Sequence, residues 1–265
     1  MKDKDPTRPA NRKFHWMSST EGNTEALKAL HRAMMSFYSQ EEERSSYQEM
    51  LSSIDNLPED DSSTSVLARK IADEKPESVL EVGCANGRLY NTLMACQYSG
   101  NYTGTEVAKH VIESNRERYP GAEWVQAGAY ELPAPDESAD IVCSEFVLEH
   151  LVFPERALKE MMRVVRPGGE LLLFFPDFVA AGRLSSQILG FSPYRTAMAS
   201  LKNEGLADGI ISIYDSRIRL PARLKTIHED IGPFPVNLRP ACLTYPNLMF
   251  PDIDAVYIAS KKEIE

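Results

Sequence analysis

The sequence has no long hydrophobic run and no secretory signal. Its longest apolar run lies around residues 171–175, far short of the roughly eighteen residues that a membrane-spanning helix needs. The first fifteen residues are charged and contain proline, without the apolar stretch of a signal peptide. These absences predict a protein that has no membrane partner and lies in the cytoplasm.

Basic residues and cysteines are also scarce. There are 29 Lys and Arg against 39 Asp and Glu, and the formal net charge is −10. A broad basic face is therefore disfavoured, and such a face is what neutralises the phosphates of nucleic acids. The four cysteines are widely spaced and form no C-x-x-C pair, which argues against a zinc site or a disulfide framework. We expect no nucleic-acid partner and no metal.

What the sequence does contain is a loop of small residues after a short apolar run. Residues 78–88 read Ser-Val-Leu-Glu-Val-Gly-Cys-Ala-Asn-Gly-Arg, a pattern typical of a buried strand that turns sharply into a helix. Small residues let a ligand approach the backbone, and a helix N-terminus offers free N–H groups. The segment is interpreted as a cofactor loop. The alternative is a tight turn that binds nothing.

The spacing of this loop disfavours a dinucleotide fingerprint, whose third glycine would stand where Arg88 stands. The observed spacing is Glu-x-Gly-x-Ala-x-Gly, which resembles motif I of class I S-adenosylmethionine-dependent methyltransferases. Later segments extend the resemblance to the subgroup that carries Leu-Pro, Val-Leu-Glu-His and Arg-Val-x-x-Pro-Gly-Gly in that order. The resemblance covers about residues 76–176, and its further motifs lie at residues 102–106, 124–133, 140–151 and 163–173.

Regular alternation of apolar and helical segments predicts a mostly parallel sheet with right-handed crossovers. We expect strands near residues 78–83, 101–106, 122–126, 139–144 and 169–175. Helices are expected near residues 65–74, 87–97, 108–118 and 154–165. An amphipathic helix at residues 23–38 and a second helix near 41–53 precede this core.

The two ends of the chain have less pattern. Residues 1–20 are expected to be mobile, and an acidic, Ser-rich linker is expected near residues 58–65. After residue 176 we predict an insertion with a helix around 196–203 and a strand at 210–214, and then a closing strand at 254–260. Long loop-rich insertions near the carboxyl ends of parallel strands are usually functional.

The resemblance implies an α/β fold with a Rossmann-like, seven-stranded, mostly parallel sheet and a closing antiparallel strand. It also implies that N-terminal helices and an insertion after strand 5 act as a cap. Four parts follow: N-terminal cap residues 1–62, a cofactor-binding core at 63–176, an acceptor-covering insertion at 177–235, and closing strands at 236–265.

The resemblance further implies transfer of a methyl group from S-adenosylmethionine to a small molecule, leaving S-adenosylhomocysteine. An oxygen acceptor is favoured, with a saccharide or a secondary metabolite as the expected substrate class. One alternative is a protein that binds the cofactor without catalysis, as a scaffold. Another is an NAD-linked oxidoreductase, which the glycine spacing disfavours.

By the same resemblance, the cofactor residues fall at four strand ends. The backbone from Gly83 to Gly87 would approach the methionine moiety, and Glu81 would hold its ammonium group. Glu106 would accept hydrogen bonds from both ribose hydroxyls. The full set predicted to bind the cofactor is Glu81, Gly83, Cys84, Ala85, Gly87, Glu106, Val107, Gly128, Ala129, Tyr130, Ser144 and Glu145.

The adenine position departs from the family pattern. Gly128 stands where the family commonly has an aspartate that accepts from the adenine amino group. The backbone of Ala129 or Tyr130 would still contact the ring, and Glu145 is equally well explained as a helix-capping acid. His150 and His228 are the candidate catalytic bases, because their chain positions put them near the acceptor.

Overall fold

The structure, a computed structural model, describes residues 13–21, 24–39, 61–184, 198, 201–202, 205–244 and 252–265. The chain divides into two compact units. One, here the terminal unit, comprises residues 1–31, 149–154 and 176–265. The other, the sheet unit, comprises residues 32–148 and 155–175. The predicted helix at 41–53, the linker up to residue 60 and most of the predicted helix at 196–203 lie outside the described residues.

The sheet unit contains five parallel strands, numbered after a short first strand in the terminal unit: β2 (Ser78–Val82), β3 (Asn101–Glu106), β4 (Glu123–Gln126), β5 (Ala139–Glu145) and β6 (Val165–Phe174). Their order in the sheet is β4-β3-β2-β5-β6. Val79 in the central strand pairs with Tyr102 on one side and Ile141 on the other. The chain order reverses at β2, so its neighbours β3 and β5 are reached by connections in opposite directions.

The helices of the sheet unit lie where they are predicted: α2 (Ser63–Glu74) before the first parallel strand, then α3 (Arg88–Ala95), α4 (Lys109–Arg118) and α5 (Pro154–Val164) between later strands. Helix α1 (Glu25–Ser39) precedes them, at the amphipathic helix predicted for residues 23–38. Helix α2 begins at the N-cap Ser62, whose hydroxyl accepts from the N–H of Ser65 at 3.1 Å. The α/β class and the parallel sheet are confirmed.

The core of the sheet unit is built from the apolar residues of the central strands and the facing sides of α2 and α3. Leu67, Ile71, Leu89 and Leu93 are fully buried. Four aromatic rings pack together beside them, with centroids 5.0–6.0 Å apart. These rings belong to Tyr90, Tyr102, Tyr119 and Trp124.

The terminal unit contains a two-stranded antiparallel sheet, in which β1 (Trp16–Ser18) pairs with β7 (Pro235–Asn237). Residues 16–18 were expected to be mobile, and for these three residues that expectation is wrong. Their partner strand lies far along the chain, so no local sequence pattern predicts the pairing. The short helices of this unit are α6 (Phe178–Ala181), α9 (Ile227–Ile231), α10 (Ala241–Thr244) and α11 (Lys261–Ile264).

The predicted strand at 210–214 is also wrong, because these residues form a helix. Helix α7 (Leu206–Tyr214) continues through a π-helical turn, Asp215–Arg219, into α8 (Leu220–Lys225). The β-branched run suggested a strand, but such runs cannot be distinguished from helix by composition alone.

The segment 254–260 does not form the predicted closing strand in the described structure. Tyr257 makes one isolated antiparallel bridge with Val236. The N–H groups of Val256 and Tyr257 both donate to the carbonyl of Glu149, at 2.7 and 2.9 Å. The N–H groups of these two residues therefore form hydrogen bonds outside any continuous β-ladder.

The seven-stranded sheet, the cap and the four-part division stay predictions. None of the helices in the described ranges has the length and apolar character that crossing a bilayer requires.

Candidate active site

The loop between β2 and α3 is shaped by two glycines with left-handed backbone. Gly83 has φ 76° and Gly87 has φ 77°. The N–H groups of Gly83 and Cys84 donate to the carbonyl of Thr105 at 2.8 and 2.9 Å, which ties the loop to β3. A Cβ at Gly83 would lie 2.3 Å from a methyl group of Val147. Both conformation and space therefore require glycine at position 83.

Ala85 also has a left-handed backbone, with φ 42°, which costs free energy in a residue with a side chain. Its carbonyl accepts from the side-chain amide of Asn115 at 2.7 Å, and its N–H points at Glu106 Oε2 at 3.4 Å. Sequence reasoning missed Asn115. A signal was present, because this polar residue shares the buried face of α4 with Val111 and Ile112.

Glu106, the last residue of β3, is buried and faces the backbone that begins α4. Its Oε1 accepts from the N–H of Val107 at 2.8 Å and of Ala108 at 3.3 Å. Burial raises the pKa of the Glu106 carboxyl, while these N–H bonds oppose the rise. The carboxylate is therefore oriented before any ligand binds, and its remaining lone pairs are available to a diol.

Glu81 is 3% exposed and accepts a hydrogen bond from the Tyr102 hydroxyl. Burial is the main reason that the pKa of Glu81 rises to about 8, and repulsion from Glu145 and Glu106 adds to it. The Tyr102 hydrogen bond acts in the opposite direction. Three carboxyl groups thus share the carboxyl ends of β2, β3 and β5, and a cation bound among them would relieve their repulsion.

Cys84 lies inside the loop, but its thiol is unsuited to chemistry. Burial raises the pKa of this thiol well above its usual range, so the reactive thiolate is suppressed. The sulfur is within 3.8 Å of the Asn115 amide and of the Ala85 carbonyl. The backbone of Cys84 is therefore the part that shapes the site.

The residues predicted to contact adenine lie in the loops after β3 and β4. A Cβ built on Gly128 would meet only a methyl group of Val107, at 3.8 Å, which is ordinary contact. Packing therefore does not demand glycine there. Ala129 is buried and Tyr130 is partly buried beside it.

Ser144 and Glu145 end β5 in different surroundings. The Ser144 side-chain oxygen is buried and, within the described residues, has no hydrogen-bond partner. Glu145 accepts from the Ser63 hydroxyl at 2.5 Å and from the Thr64 hydroxyl at 2.9 Å. Glu145 thus lies at the N-terminus of α2, where a negative charge is favoured by the helix dipole.

The two candidate histidines lie in the terminal unit, each beside acids. His150 Nδ1 is 3.5 Å from Asp254 Oδ1, and its Nε2 is 3.8 Å from Glu149 Oε1. Burial lowers the pKa of His150, but the two carboxylates outweigh it and the pKa is raised. His228 Nδ1 is 3.1 Å from Glu263 Oε1.

The site in the sheet unit defines a class: a doubly wound sheet whose glycine loop and strand-end acids fit a cationic, ribose-bearing cofactor. S-adenosylmethionine matches this donor set, because it carries an ammonium, a sulfonium and a ribose diol. Glu81, Glu106 and the unsatisfied Ser144 oxygen are the groups that would meet it.

Comparison with known proteins agrees with this class. Residues 80–173 match the family described as "Methyltransferase domain", which confirms the resemblance to class I S-adenosylmethionine-dependent methyltransferases for that segment. The matched residues include the last three residues of β2, all of β3, β4 and β5, and β6 up to residue 173. The cofactor that the match implies is S-adenosylmethionine.

Two curated relatives match a similar segment. A Mycobacterium tuberculosis protein named "Probable S-adenosylmethionine-dependent methyltransferase" is 41% identical over 104 residues, which are 37% of this chain and 35% of the relative. A phthiotriol/phenolphthiotriol dimycocerosates methyltransferase from the same species is 34% identical over 102 residues, 38% of this chain and 36% of the relative. The chain thus spans only about a third of the length of these relatives.

Solved structures are less similar. An S-adenosylmethionine-dependent methyltransferase from Mesorhizobium loti has 17% identity and a TM-score of 0.41, over 47% of this chain and 58% of the other. DesVI of Streptomyces venezuelae has 18% identity and a TM-score of 0.41, over 52% of this chain and 60% of the other.

Proposed function

We propose that this protein transfers the methyl group of S-adenosylmethionine to an oxygen atom of a small molecule. The observation that carries the proposal is the cluster of Glu81, Glu106 and Glu145 around the glycine loop. Such a cluster favours the ammonium and sulfonium of this cofactor, whose positive charge would lower the raised pKa of Glu81 and favour its ionised form.

Within this proposal, Glu106 holds the ribose diol and Glu81 holds the ammonium group. The backbone of Gly83–Gly87 borders the methionine moiety, and Val107, Ala129 and Tyr130 surround the adenine. When bound, the cofactor supplies a methyl group on an activated sulfonium. The chain then contributes mainly orientation and the exclusion of water, so a dedicated base is not essential.

The acceptor class is proposed to be a saccharide or another hydroxyl-bearing metabolite. The name of the phthiotriol/phenolphthiotriol dimycocerosates methyltransferase specifies a triol, which supports oxygen as the acceptor atom. Residues 177–235, together with the N-terminal helices, are proposed to cover the acceptor.

Isothermal titration calorimetry with S-adenosylmethionine, S-adenosylhomocysteine and NAD tests the proposal. We expect both sulfur compounds to bind and NAD to give no heat of binding. Binding of NAD alone would establish the oxidoreductase alternative. Binding of S-adenosylmethionine without turnover on any member of a hydroxyl-acceptor panel would favour the scaffold alternative.

The histidines provide a second test once an acceptor is known. The carboxylates beside His150 raise its pKa, which lowers the share of neutral imidazole that can accept a proton. Because the sulfonium already activates the methyl group, turnover should not require a base at His150 or at His228. We expect His150→Ala and His228→Ala each to keep turnover within about tenfold of the wild type. Loss of a general base would instead cost about 10²–10⁴-fold.

A further inference from the structure

The helix formed by α7, the π-helical turn and α8 is a continuous rod. The backbone stays in the right-handed helical region at both junctions, with φ −61° and ψ −45° at Asp215 and φ −63° and ψ −51° at Leu220. In the first part of this continuous helix, small and polar residues are on the buried side. Gly209, Ser212 and Asp215 are all buried, and Asp215 pairs with Arg219 at 3.0 Å.

The opposite face of the rod carries four large apolar side chains that are exposed, here called the apolar stripe. They are Leu206, Ile210, Tyr214 and Ile218, with exposed fractions of 72, 54, 48 and 59%. A surface helix ordinarily buries its large apolar residues and exposes its polar ones. Here large apolar residues are exposed instead, at four positions spaced four residues apart. Such an exposed apolar face indicates that the stripe has a partner.

The π-helical turn keeps the apolar stripe on one side. In an α-helix a four-residue step overshoots a full turn by about 40°, so Tyr214 has rotated away from Leu206. A π turn winds more slowly, so the step from Tyr214 to Ile218 falls short of a full turn. The π turn thus offsets the drift and returns Ile218 toward the line of Ile210.

The residues that flank the C-terminal half of the stripe are basic. Residues 216–225 contain four Lys and Arg and no Asp or Glu, in a chain whose net charge is −10. Arg217 and Lys225 are exposed. Arg223 is also exposed and pairs with Asp230 at 2.8 Å. An apolar face bordered by basic residues is the pattern of a helix that lies in a lipid interface.

We propose that the apolar stripe binds an anionic membrane surface, with Ile210 and Ile218 among the acyl chains and Arg217 and Lys225 at the headgroups. If two copies met stripe to stripe across a two-fold axis, their basic residues would face each other, so charge favours an anionic membrane surface over a second stripe. The expectation of no membrane partner rested on the lack of a spanning run, and a helix that lies in the interface needs none. The proposal does not depend on methyl transfer.

Sedimentation with lipid vesicles tests this proposal on the full chain. Vesicles of phosphatidylcholine alone are compared with vesicles of phosphatidylcholine and phosphatidylglycerol in equal parts. We expect wild-type protein to sediment with the anionic vesicles, and less so at high salt. Ile210→Ser combined with Ile218→Ser should reduce binding at least about tenfold, and Arg217→Gln combined with Lys225→Gln should remove the preference for anionic lipid.

Met162→Ser is the matched control, because Met162 is a 56% exposed apolar residue on a different helix. It should leave vesicle binding unchanged, and circular dichroism should show that all variants fold. The proposal is overturned by equal sedimentation of wild type with both vesicle types, or by unchanged binding of the double isoleucine variant. Light scattering that shows a dimer which the same variant dissociates would assign the stripe to a second copy instead.

Discussion

Glu106 has two sets of partners to satisfy, the N–H groups of its own loop and the proposed ribose diol. The loop bonds hold the carboxylate in one orientation, so a ligand that uses its free lone pairs does not have to order the side chain. This preorganisation makes Glu106 the residue whose removal should affect cofactor binding most directly.

Replacing Glu106 with alanine should weaken S-adenosylhomocysteine binding by about 1.5–3 kcal/mol, the range for hydrogen bonds to a charged group. Calorimetric titration measures this change. Glu113→Ala, which removes an exposed acid of α4 that pairs with the exposed Lys109 at 3.5 Å, is the control and should bind as wild type. Equal affinity of Glu106→Ala and wild type would contradict the assignment.

Gly128 offers a test by gain of function. Because a Cβ there meets only ordinary contact with Val107, Gly128→Asp should fold and should restore an acceptor for the adenine amino group. We expect tighter binding of S-adenosylhomocysteine and stronger discrimination against its inosine analogue. The wild type should discriminate weakly, and rejection of the inosine analogue by about a hundredfold would mean that another residue makes this contact.

At the scale of elements, the turn from β2 into α3 combines backbone strain with crowding. Gly87 has φ 77°, and a Cβ there would lie 2.9 Å from Trp124 and 3.0 Å from Tyr119. Gly168 has a similar φ of 81°, but nothing lies within 4 Å of its Cβ position. Alanine variants at the two glycines therefore distinguish the free-energy cost of a left-handed backbone from the free-energy cost of steric crowding.

Gly168→Ala should lower the free energy of unfolding by about 1 kcal/mol, the cost of a left-handed backbone. Gly87→Ala should lower it by about 2–4 kcal/mol, because overpacking against the aromatic cluster is added. Urea denaturation measures both. Similar losses of unfolding free energy in the two variants would show that the rings of Tyr119 and Trp124 can move aside without destabilising the fold.

The sheet was predictable from sequence because each strand is a separate local pattern. Strands β2, β3 and β5 begin within a residue of their expected positions, since apolar runs and the motif spacing locate them. The pairing of β1 with β7 joins residues 16–18 to residues 235–237, so no window of sequence contains it. The helical state of α7 was missed because a β-branched apolar run is compatible with either helix or strand.

The candidate site was predictable in the same uneven way. The loop glycines and Glu106 stand at strand ends, where an acid or a glycine is informative by itself. The partners Tyr102 and Asn115 are ordinary core-facing residues in sequence, and their roles follow only from tertiary contact with Glu81 and Ala85. Glu145 remained ambiguous because its hydroxyl partners come from α2.

At the scale of the whole molecule, two buried acids couple folding to pH. The pKa of Glu81 is raised to about 8, mainly by burial, and burial also raises that of Glu149 to about 7. The folded state therefore retains protons that the unfolded chain releases above its ordinary carboxyl pKa of 4.5. Each raised group stabilises the fold less as pH rises from that value toward its folded pKa.

We expect the free energy of unfolding to fall between pH 5 and 8, with each acid contributing at most about 1.4 kcal/mol per pH unit. Glu81→Gln mimics the protonated acid and should make this slope shallower. Urea denaturation of both proteins across the range measures the difference. Parallel slopes for variant and wild type would show that Glu81 ionises normally in the folded state.

The boundaries between the two units fall after residues 31, 148, 154 and 175. The chain therefore changes unit four times, and neither unit is one contiguous stretch of sequence. A recombination event with a related gene could replace one unit intact only through several simultaneous junctions. Exchange at a single crossover would combine part of each unit with segments from the related protein. This architecture is therefore expected to diverge by substitution and by insertion within loops rather than by exchange of whole units.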